Sequence, residues 1–321
     1  MTARAPEPSP AADGCAVATV EFTEPVDLAG SLEAYRRHGD DLIDRWDGRV
    51  LIRTVPHGAG RVALATRPAG PVKRPRLHLM GPPDLDAAAL GGLARAQFLR
   101  DRSALEDLVA RDPVFAAIPA RHHRLAVLTQ TDVLHTLARC VTAQQVTGGF
   151  AVTLRARLVR LVGRPMSVGP HTAHALDADL LAATSPERLR DVGLSGRKAS
   201  ALVGIARAVA GPLRLDALRD LDDEEVIANL TALPGIGRWS AEWFLIRALG
   251  RPLVAAGDLA VRKAVGHLYR PGLPPPAEDE VRRLTAHWGR AAALAQTIAL
   301  DHHLEVTRRS RPGPARATTS R

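Results

Sequence analysis

Over the first hundred residues apolar and polar side chains tend to alternate; beyond them the apolar positions recur every three or four residues. Alternating runs occupy Ala16–Phe22, Arg49–Val55, Arg61–Thr66 and Arg76–Met80, bounded by turn signals such as Asp47-Gly48 and His57-Gly58. That pattern predicts an antiparallel sheet. Between and after the runs, Leu28–Trp46 and Asp84–Leu99 read as helices. From Ser103 onward the spacing is helical throughout. Asp132 is placed to cap a helix carrying Val133, Leu134, Leu137 and Val141 on one face. That helix runs into CVTAQQVT, Cys140 to Thr147, and a second helix follows Gly148-Gly149 to Leu161. Thr184-Ser185-Pro186-Glu187 is a helix start with Pro in the first turn. Ser195 to Lys198 opens another helix that ends near Ala210, and Asp222, Asp223 and Glu224 open the next, where acids suit the macrodipole. The fold class expected is α+β: a small N-terminal antiparallel sheet with helices, then a mainly α-helical core of two lobes with a cleft between them. The divisions are a disordered tail over 1–14, an α/β domain over 15–100, an all-helical region over 101–306 and a basic disordered tail over 307–321.

The helical pattern is broken most sharply in Leu233–Lys263, LPGIGRWSAEWFLIRALGRPLVAAGDLAVRK. It reads as a helix end, a tight Pro234-Gly235-Ile236-Gly237 turn, a second helix from about Trp239 to Leu249, and a third opened by Asp258. Pro234 fixes its own φ, while Gly235 and Gly237 permit positive φ and a close approach by another backbone. Such a hairpin offers successive amide N–H groups beside a helix N-terminus, which suits a phosphate oxygen. Taken alone, it reads equally as a helical corner with glycines for packing. Asp258 taken alone reads as an N-cap.

Composition narrows the class. The net charge of +9 is uneven: Arg308, Arg309, Arg311, Arg316 and Arg321 lie in an acid-free tail, leaving about +4 for the rest. A mild basic excess is compatible with DNA binding. No run of 18 apolar residues and no signal-peptide pattern is present, and Cys15 and Cys140 form no disulfide framework or zinc pair, so a reducing cytoplasm is expected. His122-His123 and His302-His303 are adjacent pairs expected to point apart on a helix, so no divalent metal site is expected.

LPGIGRWSA together with Asp258, twenty-one positions beyond Gly237 and preceded by Gly257, resembles the helix-hairpin-helix Gly/Pro-Asp signature of the DNA base-excision glycosylase superfamily. The aromatic residues Trp239 and Trp243 make the chain similar to its 3-methyladenine-DNA glycosylase II branch. The resemblance implies a hairpin, Pro234 to Arg238, that holds the DNA backbone and a catalytic Asp258 facing the flipped nucleotide. It also implies a base pocket walled by Trp239, Trp243 and Trp288. Trp288 stands in His287-Trp288-Gly289-Arg290, a shortened form of the family's Trp-Pro-Trp-Arg, and reads equally as core. In Ala143-Gln144-Gln145-Val146, Gln145 falls at the position of the side chain that fills the gap left by the extruded base, with Gln144 beside it. Both glutamines read equally as caps of buried helix ends. Bifunctional relatives carry a lysine where this chain has Trp239, and an indole cannot form a Schiff base. Two cysteines cannot hold an iron–sulfur cluster. The resemblance further implies a monovalent cation held by the carbonyls of Thr231, Leu233 and Ile236, with no other cofactor.

The function expected is therefore a monomeric, monofunctional glycosylase acting on alkylated purines in double-stranded DNA. The alternatives are a non-catalytic helix-hairpin-helix DNA-binding protein and a glycosylase for another damaged base.

Overall fold

The computed structural model describes residues 14–58, 60–211 and 213–309. Of the tails expected over 1–14 and 307–321, residues 1–13 and 310–321 lie outside the described residues.

The alternating runs form the sheet they predict. β1 (Ala16–Glu21), β2 (Arg45–Trp46), β3 (Leu51–His57), β4 (Gly60–Ala69) and β5 (Arg76–Gly81) pair antiparallel in the order β1-β5-β4-β3-β2. Side chains from β1 and β5, with Leu51, pack on Leu28 and Leu32 of the helix Leu28–Arg36 and on Phe98 and Leu128. That helix stops ten residues short of the expected Trp46. After Gly39 (φ 107), Asp40 accepts the Leu42 amide at 2.8 Å and Asp41 the Ile43 amide at 3.1 Å, so the carboxylates turn the chain. The next helix is likewise shorter than expected, Ala87–Ala96, capped by Asp86.

The region beyond residue 101 is not all helical. β6 (Phe98–Leu99) pairs with β7 (Val127–Leu128), and β8 (Gly163–Val168) with β9 (His171–Leu176). The β8–β9 hairpin lays Val168 and Ala173 on Ile52, Ala63 and Ala65, covering the sheet's other face. Nor does the chain divide at residue 100. Two compact units form, Met1–Arg100 with Ala126–Arg251, and Asp101–Leu125 with Pro252–Arg321. The helix Ala292–Arg309 of the second unit carries on past Thr307, where a tail was expected.

Helix starts follow local grammar. Asp132, Ser185, Ser195, Asp222 and Asp258 each accept an amide two or three residues ahead, and Asp222 with Glu225 completes a capping box. Among the described residues, no helix is long and apolar enough to cross a membrane.

Candidate nucleic-acid interface and catalytic carboxylate

In the first unit the helix Asp223–Thr231 leads into the hairpin, and the helix Arg238–Phe244 leaves it. The turn is closed by Leu233 N–H to Leu230 O at 3.1 Å and Ile236 N–H to Leu233 O at 3.2 Å, with Ile236 buried. Gly235 adopts φ 81, and a Cβ there would lie 2.6 Å from the Ala201 Cβ. Gly237 differs from expectation: its φ is −110, and a Cβ would meet nothing within 4 Å. It is the N-cap of the helix Arg238–Phe244, which has no side-chain cap. The glycine thus opens a helix N-terminus to an outside acceptor, while Gly235 lets two helices touch.

Arg238 differs from a phosphate contact in waiting. Its guanidinium donates to Glu224 at 2.7 Å and to Glu242 at 3.2 Å, the latter 2% exposed. Ser240, Ala241, Glu242 and Phe244 face the core, which leaves Trp239 and Trp243 half-buried on another face of the helix. The Arg247 guanidinium lies 5.4 Å from the Trp243 ring centroid, a cation–π contact. Beyond Phe244 the expected helix continues, but as a π-helix, Leu245–Leu249, closed by Gly250 in the left-handed region. The widened turn presents the Arg247 carbonyl to the Gln130 amide at 2.7 Å.

The helix Val133–Ala143 ends in the turn that holds both glutamines. Gln145 is exposed and has φ 53, and Leu42 is the other non-glycine with positive φ among the described residues. Gln144 does not share that position: its side chain turns back and donates to the Gly235 carbonyl at 2.9 Å.

Beneath that helix lies a buried charge cluster that no local pattern announces. Asp41 forms ion pairs with Arg139 at 2.8 Å and Arg155 at 2.9 Å; Asp44 pairs with Arg53 and Arg139, both at 2.8 Å, and accepts the Gln130 amide at 2.9 Å. Burial would raise the Asp44 carboxyl, but the Arg53 and Arg139 guanidiniums outweigh it and hold the pKa at about 2. His135 accepts the Leu176 amide at 2.9 Å, and burial pushes its pKa down to about 4 against the pull of Asp132, so the ring is neutral. Burial raises the Cys140 thiol to about 12, which makes it inert.

In the second unit Asp258 is half-buried and caps the helix Leu259–Tyr269, accepting Ala260 N–H at 2.8 Å and Val261 N–H at 3.1 Å. Its own amide bonds the Ala255 carbonyl at 2.9 Å, and the Ala255 amide donates to Gln296 Oε1 at 2.8 Å. Gln296, on the last helix and 1% exposed, therefore fixes the turn that delivers Asp258. Sequence reasoning did not single it out, and a Gln amid apolar helix positions was the available signal.

Trp288 is a core side chain, not the pocket wall the resemblance implied. It is 1% exposed, lies edge-to-face on Phe115 with centroids 5.7 Å apart, and donates its indole N–H to the Tyr269 hydroxyl at 2.8 Å. That hydroxyl donates in turn to Asp112, which also bonds His287 at 2.8 Å. A ring enclosed this way has no face left for a base. The His302-His303 pair differs from expectation, because both rings lie against His267, with ring centroids 5.9 and 5.5 Å away. No group of three or more metal-binding side chains occurs among the described residues.

Residues 138–291 match the family model described as HhH-GPD superfamily base excision DNA repair protein. DNA-3-methyladenine glycosylase 2 of Escherichia coli is 25% identical over 68% of this chain and 73% of its own length. A DNA-3-methyladenine glycosylase of Bacillus subtilis is 24% identical over 59% of this chain. The chain spans 60% and 63% of the length of the two B. subtilis proteins it matches. Among solved structures, the 3-methyladenine DNA glycosylase of Archaeoglobus fulgidus superposes with a TM-score of 0.77 over 92% of this chain and 99% of its own, at 24% identity. The 8-oxoguanine glycosylase/lyase of Clostridium acetobutylicum, solved with double-stranded DNA, gives 0.65 over 82% of this chain and 87% of its own at 15% identity, a likeness of fold. The hairpin, its glycine-opened helix and the aspartate cap all lie inside the matched segment, so residues 138–291 of this chain carry the HhH-GPD region of the base excision DNA repair superfamily.

Proposed function

We propose that the protein is a monofunctional DNA glycosylase that releases 3-methyladenine-type alkylated purines. The observation that carries the reading is the pairing, inside one matched segment, of an uncapped hairpin helix with an aspartate held by two amides at the family's spacing. The start of the helix after Gly237, which no side chain caps, suits a phosphate of the DNA backbone. The hairpin carbonyls of Thr231, Leu233 and Ile236 are neutral oxygens; that donor set suits a monovalent cation, which would add positive charge at the hairpin.

An N3- or N7-alkylated purine is cationic while joined to the sugar. When the N-glycosidic bond breaks, the base leaves neutral, taking the bonding electrons, and needs no proton. Positive charge grows on C1′ instead. The Asp258 carboxylate, held in one orientation by Ala260 and Val261, stabilises that charge. Water then bonds C1′ and gives its proton to the carboxylate or to solvent. Trp239 and Trp243 favour a cationic, electron-poor base by stacking, worth on the order of 0.5–2 kcal/mol. Arg247 must leave the Trp243 face for that indole to take part. The same charge preference carries the choice of alkylated over oxidised bases.

Incubation with methylated calf-thymus DNA, followed by chromatography of the soluble fraction, is expected to yield free N3-methyladenine. Borohydride is expected to trap no protein–DNA adduct, since Trp239 has no amine. Release of 8-oxoguanine alone, or a trapped adduct, contradicts the proposal.

A further inference from the structure

The turn that carries Gln145 is exposed, yet its stem is tied down from three directions. Gln144, the first residue past the helix Val133–Ala143, leaves it with ψ 128 and donates across 91 residues to the Gly235 carbonyl at 2.9 Å. Two residues earlier, the Thr142 carbonyl accepts Lys198 Nζ at 3.2 Å, and its hydroxyl accepts Arg155 at 3.2 Å. Arg155 is itself anchored on Asp41 at 2.9 Å, which Arg139 shares. The receiving end is equally rigid, because Gly235 sits against Ala201 with no room for a Cβ. Gln145 meanwhile holds a left-handed backbone that costs a non-glycine residue roughly 1–2 kcal/mol. Strain of that kind persists where the surroundings over-determine it.

We propose that Gln144 is a positioning residue that makes the hairpin and the Gln145 turn one rigid piece, so that engaging the DNA backbone at Gly237 also sets the depth at which Gln145 enters the duplex. This rests on the glycosylase reading but deepens it. Gln145 fills the gap left by the extruded base, and Gln144 links that turn to the hairpin. The Asp41–Arg155–Thr142 chain braces the same stem through the Thr142 hydroxyl.

The test needs a readout independent of base release. A duplex carries an abasic-site analogue beside 2-aminopurine, whose fluorescence rises when its stacking is disturbed. Gln144→Leu keeps the side-chain volume and removes the donor; Gln144→Glu keeps the length and sets a carboxylate against the carbonyl. Both are expected to bind the duplex within threefold of the parent Kd and to melt within a few degrees of it. Both are expected to lose most of the fluorescence rise and to release alkylated base fivefold to tenfold more slowly in a single turnover. Gln145→Ala is expected to reproduce the fluorescence loss, and Gln144→His, which restores a donor, to recover part of it. An unchanged fluorescence rise in both Gln144 variants overturns the inference, as does a loss of Kd and fluorescence together. A parent that disturbs the abasic duplex but releases no alkylated base removes the glycosylase reading and leaves this inference standing.

Discussion

The two glycines of the hairpin have opposite jobs, and replacing each by alanine separates them. At Gly235 the residue holds φ 81, where an L side chain costs about 1–2 kcal/mol. The new Cβ would sit 2.6 Å from the Ala201 Cβ. Neither alanine has a torsion to relieve the overlap, so the helix Gly196–Ala210 must move, an overpacking cost of roughly 1–3 kcal/mol. Against this, alanine stiffens the unfolded chain, which returns about 0.4–1 kcal/mol. The net loss is about 2–4 kcal/mol, which lowers Tm by roughly 5–15 °C in a domain of this size. At Gly237, with φ −110 and open space around the Cβ position, the fold loses nearly nothing and Tm is expected to stay within about 2 °C. On the proposed backbone contact the methyl instead stands in the path of the phosphate, and a clash worth about 1.4 kcal/mol is expected to weaken binding about tenfold. Thermal melts and fluorescence anisotropy with a labelled duplex read the two effects separately. A Gly235→Ala protein that melts like the parent refutes the packing argument, and a Gly237→Ala protein that binds duplex like the parent refutes the backbone-contact argument.

Two further predictions follow from the interior. His135 titrates near 4 when folded against about 6.5 unfolded, so between those values only the unfolded chain takes the proton; stability falls by up to about 3 kcal/mol as pH drops through that window. Asp44, held at about 2, keeps its contribution above about pH 4 and loses it as pH falls from about 4 towards 2. In His135→Gln the decline of Tm from pH 6.5 to 4 is expected to flatten relative to the parent, and an unchanged slope contradicts the assignment. Gln296→Leu removes the acceptor for the Ala255 amide; it is expected to slow base release about tenfold, with duplex Kd within twofold, since the turn before Asp258 loosens while the hairpin stays intact. Equal losses in rate and affinity count against that positioning role.

How much of this was legible depended on the range of each interaction. Caps at Asp132, Ser185, Ser195, Asp222 and Asp258 are decided within three residues, and each was readable. The four main strands were readable because alternation is local too. The first helix reads too long when carried to Trp46, because Gly39-Asp40-Asp41 before it carries the turn signal. The β8–β9 hairpin went unseen because its period is weak and surrounded by helices. The Asp41 and Asp44 cluster could not be read, since Arg139 and Arg155 stand about a hundred residues away and an arginine carries no mark of its partner. Trp288 shows the same limit. Whether an indole walls a pocket or fills a core is settled by Phe115 and Tyr269, neither of which is near it in sequence. Family spacing pointed to Gln145 and Asp258, but it gave no sign that Gln144 bonds the Gly235 carbonyl or that Arg238 pairs with Glu224.

Single-turnover release of N3-methyladenine by Asp258→Asn is the most direct test of the central claim. Asparagine keeps an oxygen to cap the helix Leu259–Tyr269, so folding and duplex affinity are expected to match the parent. Loss of the negative charge is expected to slow release by about a hundredfold or more. Release at the parental rate would show that this carboxylate does not stabilise the sugar cation.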